Sequence, residues 1–525
     1  MNMQENNNRN WTSPLKYAAI LFIGVLLGVF LKGKFSFNGL QSKENIPLQE
    51  IIDLVKSKYV DKLANDSADL KFINYYLSQL DPHSVYISPA ELTDANEQLM
   101  SNFKGIGIEF QQVRDSIFVA YVMKDGPADK AGLKIGDILL KANDTLQLSG
   151  KKWEAEALRS NLKGPADTKI KLLVLSGKST KTIIIQRDNI PSSSVDAAYQ
   201  IKPGVGYIKI NKFADRTYEA FMQALEPLIK DSIKSLVLDL RGNGGGILSE
   251  AVAIADELIP GNKLLVYTQG EHAPRADYFS KREGLFEQGA ITVWMDESSA
   301  SASEVLAGAL QDWDRATIVG RPSFGKGLVQ QQFNLSNGGA LRLTIAKYYT
   351  PLGRNIQRSF EKGKMAYQHD YINRIEENAN GKKDSTFKGK AYKTPKGKTV
   401  YGGGGIFPDA YVAGSTIILD SAYGQLLDDN LLSDFVLHWY LKERSKMSSL
   451  KNTTDFLNTY KTVDTWSALI NYASPAQKIM LRSLEKNKSY IQNQVLASMA
   501  RMQWYKQGYF EVLNQLDGRF IAQLP

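Results

Sequence analysis

Cysteine is absent from all 525 residues, so disulfide staples, thiolate nucleophiles and cysteine-ligated zinc are excluded. Histidine is scarce: His83, His272, His369 and His438 are the four. None stands in an H-E-x-x-H pattern, so the chain carries no zinc-hydrolase motif. His438, inside an aromatic-rich helical stretch, reads as a packed residue, and His83, following Asp81-Pro82, reads as a turn residue. Gly244, Gly245 and Gly246 have no Lys-Ser/Thr after them, which rules out a phosphate-binding P-loop. A G-x-S-x-G nucleophile elbow is missing as well, and with it the α/β-hydrolase arrangement.

Nucleic-acid binding is a further class without support. The net charge is +9, but much of the excess sits in one place. Lys382, Lys383, Lys388, Lys390, Lys393, Lys396 and Lys398 face a single acid, Asp384, across residues 382–398. That stretch carries Gly, Thr and Pro and no periodicity, so it is expected to be a solvated, mobile excursion within a Lys-rich loop at 361–400. No aromatic-basic surface pattern accompanies the lysines.

Long apolar runs are also rare. The one that stands out, 17–31, has Lys16 before it and Lys32 and Lys34 after it. Fifteen helical residues span about 22 Å against the ~30 Å of a hydrocarbon core, a gap that snorkelling lysines narrow. No small-x-small cleavage site follows, so 17–34 is read as an uncleaved transmembrane anchor, with a cleaved signal segment as the alternative. The expectation is a single-pass protein of the cell membrane. Residues 1–16 form its cytoplasmic tail, and the catalytic part lies in the periplasm or another extracytoplasmic space.

The hydrophobic fraction of 43% is ordinary for folded domains, and the length allows several. Residues 44–101 read as a helical region, with Ile46, Ile51, Ile52 and Val55 along one face. Residues 102–187 turn mostly to β pattern. They include G-P-A-x-x-A-G-L-x-x-G-D-x-L from Gly126 to Leu139, and in element order and motif they resemble a PDZ domain. Such domains add a peptide as a strand and hold its terminal carboxylate on backbone N–H groups. The resemblance implies a carboxylate loop at 103–107, with Phe103, Gly105, Ile106, Gly107 and Ile108 as peptide-binding residues.

From residue 188 the pattern becomes α/β. A buried strand at 235–240 runs into Arg241-Gly242-Asn243-Gly244-Gly245-Gly246 and then a helix, a setting in which backbone amides face an anion. A second strand, 291–295, gives way through Ser298-Ser299-Ala300-Ser301-Ala302-Ser303 to a helix beginning near Glu304. Ser301 and Glu304 on their own match a helix capping box. A third segment, Gly325-Lys326-Gly327, places a lysine between glycines in apolar surroundings, where lysine is unusual.

Taken in order with the PDZ-like unit, D-L-R-G-N-G-G-G, S-A-S-A-S-E and G-K-G-x-x-Q resemble the carboxyl-terminal processing peptidases, or tail-specific proteases. The resemblance runs over roughly 48–412 and includes the segments 341–351 and 405–409. It implies Ser301 as nucleophile, Lys326 as general base and Gln330 as the residue orienting the lysine. It also implies an oxyanion hole from the N–H groups of Gly246 and Ala302, with Gly245 the alternative to Gly246. The chemistry is self-consistent without histidine, metal or cofactor. A free lysine titrates near 10.4, but burial beside apolar groups disfavours the ammonium and frees the amine to take the Ser301 proton.

The fold class expected is multidomain α/β. A crotonase/ClpP-like peptidase core (188–412) carries a PDZ-like β-rich domain inserted after the N-terminal helical segment. A helical domain (413–525) follows, suited to dimerisation, an adaptor or plain packing. The expected function is a serine endopeptidase that captures unstructured C-terminal tails of proteins through its PDZ domain. A PDZ peptide-binding scaffold with an inactive or activator-dependent core is the alternative.

Overall fold

Near-continuous apolar runs make strands that are covered on both faces, and the centre of the molecule is built from them. The computed structural model describes residues 67–97, 99–381 and 389–524, with Ile52 and Lys58 besides. The chain divides into residues 1–72 and 73–525; of the first unit only Ile52, Lys58 and the residues from 67 onward are described.

Val205–Ile210, Ser235–Asp239, Ala290–Met295, Ala316–Gly320 and Ala410–Tyr411 lie parallel and in that order, with Val195–Lys202 antiparallel at the first edge. Every residue of Val205–Ile210 is buried. The helices Thr217–Lys230, Leu248–Asp256 and Ala302–Asp312 connect successive strands and share one apolar cluster with them, through Phe221, Leu225, Ile254, Leu306 and Leu310. The opposite face, with Tyr207 and Trp294, is covered by Phe510 and Phe520 from the C-terminal end of the chain. This arrangement leaves the carboxyl ends of Ser235–Asp239 and Ala290–Met295 side by side, the usual place for a site in an open α/β sheet. A second sheet pairs Ala340–Tyr349 with Leu328–Asn334, Leu264–Gln269 and the short strand Val85–Ile87. The stretch 44–101 is therefore not wholly helical, because Val85–Ile87 completes a sheet edge.

The PDZ-like unit is a separate sheet around Ile117, Leu139, Leu172 and Ile185, packed on the helix Ala155–Leu162. Among the described residues its strand Ile108–Val113 pairs only with Ser116–Val122, which leaves one edge open for an added strand. Side chains alternate along it. Ile108 and Phe110 turn to the PDZ core, whereas Glu109, Gln111 and Val113 turn to the C-terminal helices.

Those helices run from Ser421–Asp428 to Gly518–Ile521 around Phe456, Trp466 and Met499. They grip the outer face of the PDZ hairpin. Arg501 donates to both oxygens of Glu109 (2.9 and 2.7 Å), Gln111 Nε2 donates to Asp434 (2.7 Å), and the Tyr505 ring stacks on Tyr121 at 4.0 Å.

Two expectations are corrected. Residues 361–400 are not one solvated loop: Gly363–Ala379 is a helix, and Ala391–Lys393 pairs with Thr399–Tyr401. The helix is pinned by Tyr367, Arg374 and Asn378, all buried, with Arg374 donating to the carbonyls of Ser323 and Gly404 at 2.8 Å. Residues 382–388, with three of the lysines, lie outside the described residues. The membrane expectation is the other. The run 17–34 lies outside the described residues, and among the described residues no helix is long and apolar enough to cross a membrane. The reading as an anchored, single-pass protein with a membrane partner and a periplasmic catalytic part is therefore withdrawn.

A half-exposed ion pair contributes up to ~1 kcal/mol and an aromatic stack about 0.5–1.5. Arg501→Ala combined with Tyr505→Ala should thus loosen the PDZ hairpin by about 1–2 kcal/mol. Amide exchange in 108–122 is expected to quicken roughly tenfold with the central sheet unchanged; equal protection in variant and parent would show that the grip is not stabilising.

Candidate active site

A strand that ends in small residues can turn sharply into a helix, and 296–304 does so. Ser301, half-buried, precedes the helix Ala302–Asp312 with φ 53 and ψ −115. That backbone state is costly for a residue with a side chain, and it has to be held by its surroundings. The holding group is Glu304. Its carboxylate is fully buried, and Oε2 accepts from Ser301 N (2.7 Å) and from Lys326 N (2.9 Å). Oε1 accepts from Gly325 N (2.7 Å) and Ser323 Oγ (2.5 Å). The capping pattern read at Ser301 and Glu304 is thus half of a larger knot that also fixes the lysine segment. Burial pushes the Glu304 carboxyl up, and the four donors oppose it.

Lys326 comes just before the strand Leu328–Asn334, half-buried, with Nζ 3.0 Å from Gln330 Oε1. Gln330 Nε2 donates in turn to the carbonyl of His83 (2.6 Å). Burial lowers the Lys326 pKa and so does the Arg342 guanidinium, while Glu304 and Asp81 pull the other way. Among the described residues no hydrogen bond joins Ser301 Oγ to Lys326 Nζ. The two segments meet through Glu304 instead. In enzymes without substrate such catalytic contacts are often long and tighten on binding.

The glycine loop closes the third side. Asn243 is fully buried; its carbonyl accepts from Ala300 N (3.0 Å) and Ser303 Oγ (2.9 Å), and its Nδ2 donates to Ile210 O (3.0 Å). Gly245 N donates to Asn243 Oδ1 (2.9 Å), so that N–H is engaged, whereas the N–H groups of Gly246 and Ala302 have no acceptor among the described residues. Gly245 has φ +94, and a Cβ there would lie 2.5 Å from Ala300 O and 2.9 Å from Ala302 N. Only glycine permits this approach. Behind the loop, Asp239 is buried with Arg241 and Lys209. Burial alone would raise its carboxyl, but the two cations hold it well below the usual carboxylate range.

In the PDZ-like unit the sequence-named residues separate. Phe103 and Gly105 belong to Asn102–Gly105, a ladder with Asp188–Pro191 at the domain entry, so Phe103 is not part of the groove loop. Ile106 is buried in the PDZ core, Gly107 turns the chain at φ +75, and Ile108 starts the open-edged strand. Glu304, Arg342 and the His83 carbonyl were not singled out as site groups from sequence. The S-x-x-E spacing was the one available signal, and it pointed only to a cap. Among the described residues no cluster of His, Asp and Glu could hold a metal ion.

A half-buried lysine and a serine at a helix start, both tied to Glu304, thus lie in one frame with two amides that have no acceptor among the described residues. Comparison with known proteins gives the family. The sequence profile of peptidase family S41 matches residues 204–363, that of the PDZ domain matches 105–186, and a family of unknown function matches 422–505. The chain is 36% identical over 315 residues to a carboxy-terminal-processing protease of Bartonella bacilliformis, covering 59% of this chain and 71% of that one. It is 34% identical over 343 residues to a probable CtpA-like serine protease of Staphylococcus aureus, covering 64% and 67%. A solved photosystem II D1 C-terminal processing protease aligns over 74% of this chain and 90% of its own, at 25% identity and a TM-score of 0.37. The chain belongs to the S41 carboxy-terminal processing peptidases and is a serine-type endopeptidase with an inserted PDZ domain.

If Lys326 serves as the base it must be unprotonated to act, so kcat/KM should rise with pH and level off above its pKa, at a midpoint below the ordinary lysine value. Arg342→Gln removes a neighbouring cation and should move that midpoint to higher pH, measured as a pH–rate profile. A midpoint unmoved by the change would show that Arg342 does not tune the base.

Proposed function

We propose that the protein takes exposed, unstructured C-terminal tails of proteins into its PDZ groove and cuts them upstream with Ser301 and Lys326. The observation that carries this is the shared Glu304 oxygen, which holds the serine turn and the lysine segment in one fixed frame. In the first step the Ser301 Oγ–carbonyl bond forms as the proton passes to Lys326 Nζ. The peptide C–N bond then breaks and the proton goes to the leaving nitrogen. Water, deprotonated by the same amine, releases the acyl group. The Gly246 and Ala302 N–H groups would hold the oxyanion; the bond from Gly245 N to Asn243 Oδ1 supports Gly246 over Gly245. Gln330 keeps Nζ pointed, because its own amide is fixed by His83 O.

Ile106, Gly107 and Ile108 would receive the tail, supported by the open edge of Ile108–Val113. Binding there, remote from the cut, contributes to orienting the bond to be broken. The partition into 102–187, 188–412 and 413–525 belongs to the same proposal, supported by separate apolar clusters. So does a crotonase/ClpP-like core, for which the succession of parallel strands and covering helices speaks.

Ser301→Ala and Lys326→Ala should each lower cleavage of an unstructured protein by at least about a thousandfold while retaining the fold, followed by gel assay and circular dichroism. Cleavage at the wild-type rate in both variants would remove the dyad.

A further inference from the structure

The sequence profile of the peptidase family stops at residue 363, where the helix Gly363–Ala379 begins. That helix walls a cavity of about 400 Å³ together with His83 and Phe324, to which it contributes Tyr367, Tyr371 and the exposed Ile372. We propose that this cavity is the subsite for the first residue of the leaving fragment, and that it selects a bulky apolar or aromatic side chain there. The inference rests on the Ser301–Lys326 reading and deepens it.

The location comes from contacts to the segments that carry both members of the dyad. His83 forms one wall, and its carbonyl is tied through Gln330 to Lys326 Nζ. Phe324, two residues before Lys326, donates its N–H to Ser299 O at 2.9 Å. Tyr371 Oη lies 3.4 Å from Ser298 Oγ, three residues before Ser301. The side of the scissile bond follows from the chemistry. The group that takes the serine proton returns it to the leaving nitrogen, so the leaving fragment must run past Lys326 and hence past this opening.

The selectivity follows from the lining. Four rings surround the space: Phe324 lies 5.0 Å from Tyr371 and 6.0 Å from Tyr367, and His83 5.7 Å from Tyr367. Two cations also line it, Arg358 and Lys364. Arg358 pairs with Asp370 at 2.8 Å and lies 4.0 Å from the centre of the Tyr367 ring and 4.8 Å from that of Phe324. Burial and the neighbouring Lys326 lower the His83 pKa to about 4, so its imidazole is neutral at pH 7. Walls built from four rings and the exposed Ile372 reward apolar and aromatic surface.

The test is cleavage of a randomised, unstructured peptide library with free C-termini by the full chain, cut positions being read by mass spectrometry. The wild type should place Phe, Tyr, Leu, Ile or Met directly after the cut, preferred over Ala by roughly tenfold to a hundredfold. Ile372→Trp, at an exposed position that the fold tolerates, should fill the mouth and shift that preference at least tenfold towards small residues. Tyr371→Ala should weaken the preference for aromatic residues, and Ile372→Val should keep the wild-type pattern. Cuts with no preference on the leaving side, a preference confined to the residue before the cut, or a pattern unmoved by both Ile372→Trp and Tyr371→Ala would overturn this inference alone. No cutting by wild type, as by Ser301→Ala, would remove the dyad reading and this inference with it.

Discussion

The site depends on one buried carboxylate. Taking such a group out of water costs several kcal/mol unless it is well supplied with donors. Glu304 has three backbone N–H groups and a hydroxyl. Its loss would leave three amides without their acceptor, each at about 1–3 kcal/mol. Those amides belong to the serine turn and the lysine segment, so the same bonds that stabilise the fold fix the two segments relative to each other. The negative charge has a cost for catalysis, because it favours protonated Lys326. Burial and Arg342 work against it, and they win, since the lysine pKa falls below its ordinary value. A carboxylate can therefore stand next to the proposed base and still leave its pKa below the ordinary lysine value.

The glycine loop has its own anchor, and the C-terminal helices take part in it. Arg241 bonds Asp239 on one side, while its guanidinium lies 4.3 Å from the centre of the Phe520 ring and 3.4 Å from Asn514 Oδ1. Asn514 Nδ2 also donates to Tyr199 Oη at the sheet edge (2.9 Å). The helical domain is thus part of the support for the loop that presents Gly246, beyond its grip on the PDZ unit.

Much of this was legible because it rests on local pattern. Buried strands announced themselves as apolar runs, the glycine loop as consecutive glycines after Asp239, and the PDZ-like unit by Gly126-Pro127-Ala128 and Gly136-Asp137. What escaped depends on contacts distant in sequence. Glu304 matched a helix cap because its first partner is three residues away, while Ser323, Gly325 and Lys326 are reached only in the fold. The helix Gly363–Ala379 escaped for another reason. Its anchoring face is Tyr367, Tyr371, Arg374 and Asn378, correctly spaced for a helix but too polar to register as an apolar stripe. Its arginine is satisfied by the carbonyls of Ser323 and Gly404, groups that no hydrophobicity pattern reveals. Phe103 is placed in the carboxylate loop by the PDZ resemblance, whereas in the structure it pairs with Ile190, and the chain turns at Gly107 before the strand that starts at Ile108.

The helix Lys488–Leu516 carries the most instructive strain. At Trp504 and Tyr505 the backbone leaves helical values, and Tyr505 has φ 54 and ψ −149, a state that costs on the order of 1–3 kcal/mol for a residue with a side chain. The Tyr505 ring stacks on Tyr121 and its hydroxyl donates to Glu109 at 3.2 Å. Those contacts, with Arg501 on the same carboxylate, are of the right size to offset the strain. The kink lies between the part of the helix that touches the PDZ hairpin and the part that carries Phe510 and Asn514 to the central sheet. A straight helix would keep its axis past Tyr505, whereas the break lets one helix satisfy two surfaces with different orientations. PDZ position and loop support are therefore held by a single element whose bend is maintained by the PDZ contact itself.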